Sequence, residues 1–183
     1  LGNREIDHNF LIRLKGMSPT LSMFIIYLGL DEYLSQWPQQ RTNAWFLSHY
    51  DLESTYSSAK KGTVKDIDKY IVHFVPEKKS LVAFFNAPFK SKKYWDNTKS
   101  KFLESFIEKI EKNLAPSLAN HIIFKGSATP HTLSRYTSNY RGAAYGWECI
   151  PSQFADYTLR KPSFIQRLYL TGHWTTLGHG IPG

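Results

Sequence analysis

A single cysteine, Cys149, stands in 183 residues, which excludes an internal disulfide and fits a reducing compartment. A catalytic thiol would need a histidine beside it and a raised thiolate fraction, so a buried structural thiol is expected. Long apolar runs are also lacking. The best, Thr20 to Leu30 around Met23-Phe-Ile-Ile-Tyr-Leu28, is too short to cross a membrane. No Asn-x-Ser/Thr sequon occurs and no apolar segment follows a basic start, so these residues give secretion no support. Repeats and low-complexity stretches are absent. Gly-x-Gly-x-x-Gly set between a strand and a helix occurs nowhere, so a complete dinucleotide fold is not expected.

Acidic residues are scarce in one part of the chain only. Residues 1–68 carry 7 basic and 8 acidic side chains, whereas residues 69–183 carry 16 and 7, within a net charge of +8. A basic half rich in aromatics could face nucleic acid, anionic lipid or a cofactor's phosphates. No nucleic-acid recognition motif accompanies it, and Lys90-Ser-Lys-Lys93, the densest cluster, reads as solvated surface.

What is present is enough for one domain with a real core: 42% hydrophobic and 21% charged residues, and a high 15% aromatic content. The aromatics imply flat apolar surface, lining either a core or a cavity. Residues 1–19 are weakly patterned. Thr20 to Leu30 reads as a buried central strand, Asn43 to Ser48 as a second, and Asp51 as the cap of a helix running to about Lys61 and ended by Gly62. Tyr70 to Val75 and Leu81 to Ala87 are strands joined by the hairpin-sized Pro76 to Ser80, hence antiparallel. Trp95, Phe102, Leu103, Phe106, Ile107, Ile110 and Leu114 recur at helical steps, predicting a helix over Tyr94 to Leu114 that lies on the sheet and stops at Pro116. His121 to Phe124 starts another strand, Thr129-Pro130 reads as a helix start, and Gly142 to Trp147 is a glycine-interrupted loop. Residues 151–166 link this loop to a final strand at Leu168-Tyr-Leu170. Together these predict an α+β domain: a largely antiparallel mixed sheet covered by helices.

The final strand gives way at Thr171-Gly172 to Gly178, Gly180 and Gly183, with Pro182 between the last two. Glycines there allow main-chain N–H groups to approach a ligand, and a proline can open a helix whose N-terminus favours an anion. A plain turn is the more common meaning of such glycines. His173 and His179 lie six apart in a loop without a cysteine partner, a poor metal spacing. Ser57-x-x-Lys60 has the form of a Ser-Lys nucleophile motif without its partners. Tyr145 and Trp147 read as substrate-side or core residues, and Arg135 and Tyr136 as pocket-lining or surface-paired.

Residues 168–183, Leu-Tyr-Leu-Thr-Gly-His-Trp-Thr-Thr-Leu-Gly-His-Gly-Ile-Pro-Gly, resemble the C-terminal flavin-contacting motif of FAD-dependent oxidoreductases of the phytoene desaturase, carotenoid isomerase and retinol saturase group. The likeness extends to Ser18 to Asp31, similar to the first strand of that family's substrate domain. It also covers Lys93-Tyr-Trp-Asp96 with the helix after it, and Thr129-Pro-x-Thr-x-x-Arg-Tyr136 followed by Gly142-Ala-Ala-Tyr-Gly146.

The resemblance implies a substrate-binding domain over residues 1–166. Residues 167–183 would be a returning strand and glycine-rich loop of an absent, Rossmann-like FAD-binding domain. It further implies hydride exchange between FAD and a long apolar polyene lying between sheet and flavin. Gly172, His173, Trp174, Gly178, Gly180, Ile181 and Pro182 would meet the flavin, although related flavoenzymes often carry an acidic residue where His173 stands. Tyr145, Trp147, Arg135 and Tyr136 would meet the substrate; the resemblance names no catalytic residue and no metal. The chain opens on Leu1 and stops inside the motif, so a piece of a longer protein is expected, inactive alone and unable to hold FAD, with the missing FAD-binding domain as its partner. A cytoplasmic setting at a membrane surface, without nucleic acid, completes the expectation. The rival readings are a basic, aromatic-rich nucleic-acid module and a lipid or carotenoid carrier.

Overall fold

The computed structural model describes residues 7–33, 42–64, 67–154 and 167–175. The chain divides into two compact units, Leu21–Gly142 and a second one made from both ends, Leu1–Thr20 with Ala143–Gly183. In chain order the elements are α1 (His8–Gly16), β1 (Ser22–Leu30), β2 (Thr42–Leu47), α2 (Leu52–Lys60), β3 (Lys69–Val75), β4 (Ser80–Ala87), α3 (Lys92–Asn113), β5 (Ile122–Ala128), α4 (Pro130–Thr137) and α5 (Pro151–Phe154).

Unit Leu21–Gly142 is built on a five-stranded sheet of order β2-β3-β4-β1-β5, with every neighbouring pair antiparallel. The α+β expectation is met. Side chains alternate across a pleated strand, so one face takes Phe24, Ile26, Leu28 and Leu30 of β1, Tyr70, Val72 and Phe74 of β3, and Leu81, Ala83, Phe85 and Ala87 of β4, all buried. Helix α3 covers this face with Trp95, Phe106, Ile107 and Ile110, also buried. The expected stripe is therefore a packing face. Its first turn is set by Ser91, whose hydroxyl accepts the Tyr94 N–H at 3.1 Å, so the helix begins two residues earlier than its apolar periodicity predicts.

Much of the aromatic excess fills this core. Phe24 stacks on Phe85 and Trp95 at 5.4 and 5.7 Å, and Phe106 meets Phe85 and Tyr70 edge-on at 5.3 and 5.2 Å. Burying a ring such as Phe106, fully shielded here, contributes on the order of 2–3 kcal/mol. The Tyr70 hydroxyl donates to the Lys109 carbonyl at 3.3 Å and accepts from Asn113 Nδ2 at 3.2 Å, so its polar end is satisfied inside the layer.

Turn chemistry closes the elements as expected. Asp51 accepts the Ser54 N–H at 3.0 Å to start α2, and Gly62 at φ +85° follows its end. Thr129 and Thr132 form a reciprocal capping box at the start of α4 with Pro130 at its first position. The hairpin between β3 and β4 is a 3-10 turn over Pro76–Lys78, with Lys79 left-handed at φ +45°.

In the second unit α1 departs from the weak patterning of residues 1–19. Asp7 caps it by accepting the Asn9 N–H at 2.8 Å, yet none of its residues is buried, so there was no apolar stripe to read. The short α5 was likewise unexpected. Leu168–Leu170, expected as the final strand, pairs with no strand among the described residues, and Tyr169 and Leu170 are exposed. Strand propensity alone does not make a ladder, because each N–H and C=O needs a facing edge.

Candidate functional site

In the unit formed by the chain ends, three of the family-like segments come together. Pro19 bridges Trp147 in antiparallel fashion. Thr20 N–H donates to the Gly146 carbonyl at 2.8 Å, Glu148 N–H to the Ser18 carbonyl at 2.9 Å, and Tyr145 N–H to Thr20 Oγ1 at 3.0 Å. Gln153, on α5, clasps this pairing. Its amide oxygen accepts the Ser18 N–H at 2.6 Å, while its Nε2 donates to the carbonyls of Glu148 at 2.7 Å and Ser18 at 3.2 Å. A buried amide with three backbone partners fixes local geometry, and nothing in its sequence context marks it.

The Gly172–Thr175 turn lies against this pairing. The Gly172 carbonyl accepts both the N–H and the hydroxyl of Thr175, at 3.0 and 2.7 Å. Trp147 donates its indole N–H to the Trp174 carbonyl at 2.8 Å and meets the Trp174 ring edge-on at 4.8 Å. A Cβ on Gly146 would fall 2.1 Å from the His173 carbonyl oxygen, so two backbones touch where only glycine fits. Sequence reasoning placed Tyr145 and Trp147 on the substrate side and Gly172, His173 and Trp174 on the cofactor side. The structure puts Trp147 in direct contact with the turn, with Gly146 as the junction.

The remaining expectations divide. Gly178, Gly180, Ile181 and Pro182 lie outside the described residues, as do His179 and Gly183. Arg135 and Tyr136 belong to α4 of the sheet unit. There Arg135 donates to the Tyr136 hydroxyl at 3.1 Å, its guanidinium sits 4.7 Å from the ring centre, and Tyr136 is 75% exposed. Cys149, expected to be buried, is exposed. The backbone turns at this residue, with Ile150 N–H donating to the Glu148 carbonyl at 3.0 Å, and it is the neighbouring Glu148 that is buried. Among the described residues no three His, Cys, Asp or Glu side chains are grouped to hold a metal ion.

The sheet unit adds a feature that motif reading missed. On the face turned away from α3, one cross-strand row joins Trp45, Ile71, Phe84, Ile25 and Ala128 across all five strands. Beside it, Tyr27 opposes Gly126 and Phe124 opposes Gly29. Trp45 is 66% exposed, Phe124 60% and Tyr27 41%, so this row is apolar and partly open, with Asn43 and His73 paired beside it. The signal was legible in β1, whose unbroken apolar run departs from the alternation of a sheet wetted on one side. A separate cavity of about 140 Å³ under α2, walled by Ser54, Ser58, Thr63, Asp68 and Asn86, collects none of the expected residues.

The described residues leave one stretch of main chain open to solvent. At Gly172, φ +106°, no atom lies within 4 Å of where a Cβ would stand, which leaves main chain open to close approach, and Trp147 and Trp174 supply ring surface beside it. A clamp for the dinucleotide half is not among them.

No protein-family model matches the chain. Over 186 aligned residues it is 25% identical to the 4,4'-diaponeurosporene oxygenase of Staphylococcus haemolyticus (strain JCSC1435), covering 92% of this chain and 35% of that protein. It is 29% identical over 96 residues to the 4,4'-diaponeurosporene oxygenase of Staphylococcus aureus (strain MW2), covering 52% of this chain and 18% of that protein. Over nearly its whole length, then, the chain is similar to a carotenoid-modifying oxygenase while spanning about a third of that protein's length.

Proposed function

We propose that this chain is the substrate-binding part of a carotenoid-modifying, FAD-dependent oxidoreductase acting on a long apolar polyene. The observation that carries the reading is the junction of Gly146 and Trp147 with the Gly172–Trp174 turn, because it joins the two segments most like the flavoenzyme family. Similarity to two diaponeurosporene oxygenases supports the carotenoid class, and the apolar row across the sheet supports a long, flat, apolar ligand.

In this reading each part of the chain has a physical task. Trp45, Ile71, Phe84 and Ile25 offer an apolar track that takes the polyene out of water. Gln153 holds Ser18 and Glu148, and through them Trp147, in a fixed position. Gly172 keeps main chain accessible, so that the His173 and Trp174 segment can face the cofactor's polar chain. When bound, the flavin supplies the hydride exchange; the protein supplies position and polarity.

The test is a titration of the chain with a linear carotenoid, followed by quenching of tryptophan emission. Saturable quenching that is lost in Trp45→Ala with Phe84→Ala supports the sheet track, and its absence refutes a polyene-binding role. The polypeptide that carries this sequence in its source should also purify yellow. A colourless preparation that ignores added FAD would remove the flavin from the proposal.

A further inference from the structure

The two edges of the sheet are guarded unequally. At β5 the ladder with β1 slips between Gly29 and Leu30, and Lys125 stands in the strand, paired with Glu104. A register break and an edge lysine both discourage a further strand. Strand β2 has neither: Thr42–Leu47 holds no charged residue and no proline, and it pairs with β3 in unbroken register. Trp45 is 66% exposed and Leu47 41%. The main chain of β2 has a fixed direction. Ser48 N–H donates to the Asp68 carbonyl at 2.9 Å, one step beyond the Leu47 and Lys69 pair. Hydrogen-bonded and non-bonded pairs alternate along an antiparallel ladder, so Phe46 with Tyr70, Ala44 with Val72 and Thr42 with Phe74 are the bonded pairs. Asn43, Trp45 and Leu47 therefore turn their N–H and C=O groups away from β3, and nothing takes them among the described residues. These outward groups are spaced evenly about Trp45.

We propose that β2 pairs antiparallel with β2 of a second copy of this chain, across a two-fold axis at Trp45, and so joins two five-stranded sheets edge to edge. On that axis Trp45 opposes Trp45 of the second copy, while Asn43 opposes its Leu47 and Leu47 its Asn43. Each outward N–H then meets an outward C=O, and all three pairs close with two hydrogen bonds each. This symmetry selects the occupant. A two-fold interface needs a self-complementary row, which the even spacing about Trp45 provides, and an uncharged strand sets no like charges against each other. Opposed residues share a face, so the two exposed Trp45 rings meet and shield one another. The apolar row of Ala128, Ile25, Phe84, Ile71 and Trp45 would continue into the second copy. The pairing does not rest on the polyene reading, because its assay contains no carotenoid and no flavin.

The test is sedimentation equilibrium of the chain over a micromolar to millimolar series. A reversible equilibrium of monomer and dimer is expected, and a monomer throughout overturns the proposal. Leu47→Pro deletes a donor that faces away from β3, hence two bonds per dimer, and should weaken association roughly thirtyfold while leaving the internal ladder intact. Trp45→Lys sets two like charges opposite each other and should abolish the dimer. Ile123→Lys, at the other edge and 71% exposed in the native chain, should leave association unchanged; equal loss in all three variants, or loss in Ile123→Lys alone, would overturn the β2 edge. Cross-linking reads the register. In a Cys149→Ser background, Trp45→Cys puts two thiols on the axis with Cα atoms about 5.5 Å apart, within disulfide reach, whereas Asn43→Cys leaves them about 13 Å apart. Mild oxidation should give a covalent dimer of the first and not of the second. Equal linking of both, or linking of Asn43→Cys alone, would refute the pairing. Both positions are exposed on one face of β2, so this comparison holds even where a lysine variant fails to fold.

Discussion

Replacing Gly146 by alanine tests the junction on which the functional reading rests. The new methyl would sit 2.1 Å from the His173 carbonyl oxygen and 2.7 Å from its carbon, at φ +76°. Keeping the native backbone would cost about 1–2 kcal/mol for the left-handed conformation and about 1–3 kcal/mol for the overlap. Letting the Gly172–Thr175 turn lift away costs less. It forfeits the Trp147–Trp174 hydrogen bond, about 1 kcal/mol, and the edge-on ring pair, about 0.5–1.5 kcal/mol. The Thr175 bonds to Gly172 are internal to the turn and travel with it. Since about 2 kcal/mol of contact opposes about 2–5 kcal/mol of strain, the turn should detach while the separately packed sheet remains. Tryptophan emission should shift to the red and become accessible to a soluble quencher, near-ultraviolet dichroism should fall, and far-ultraviolet dichroism should hold. Gly172→Ala is the comparison: at φ +106° the alanine is strained too, but open space surrounds the new methyl, so without the overlap the turn should stay docked. Unchanged emission in Gly146→Ala, or equal changes in both variants, would refute the reasoning.

Gly142→Ala should act globally. Its methyl would lie 2.4 Å from the Pro130 carbonyl oxygen and 2.9 Å from Ser22 Oγ, inside the sheet unit, so a loss of about 2–5 kcal/mol in urea unfolding is expected. Phe106→Ala removes a fully buried ring between Phe85 and Tyr70 and should cost about 3–5 kcal/mol in the same assay. The Asp51 carboxyl is held below its ordinary pKa by the Ser54 backbone N–H and then by the Ser54 side chain. Its capping contribution is thus present above the unfolded carboxylate pKa and lost as pH falls through the lowered value. Helical signal should decline on acidification, and Asp51→Asn should remove that part of the pH dependence. Burial raises the Tyr70 phenol above its usual value, against the opposing hydrogen bond from Asn113. Stability from the neutral phenol is complete below the unfolded pKa and lost as pH rises through the folded one, so Tyr70→Phe should abolish one late component of phenolate absorbance on alkaline titration.

Local rules were readable wherever local forces decide. The apolar steps of Trp95, Phe106 and Ile110, the Asp51 and Thr129 caps and the Pro76 hairpin depend on a few neighbouring residues, and each appears where its chemistry predicts. Helix α1 escaped because it buries nothing and so carries no stripe. The exposed Cys149 was misread from residue type, since its place at a local turn, not its chemistry, decides its burial. Leu168–Leu170 had strand-forming side chains and no described edge to pair with.

The sequence by itself determined the types of the main sheet-unit elements, their largely antiparallel class and the helix-ending glycine Gly62, because propensity, capping and steric freedom act over a handful of bonds. Only the tertiary structure decided that Gly146 meets His173, that Gln153 clasps Ser18 and Glu148 across 135 and 5 residues, and that Trp45, Ile71, Phe84 and Ile25 share one row. Those pairings depend on strand register and on contacts between distant segments, which no local pattern encodes.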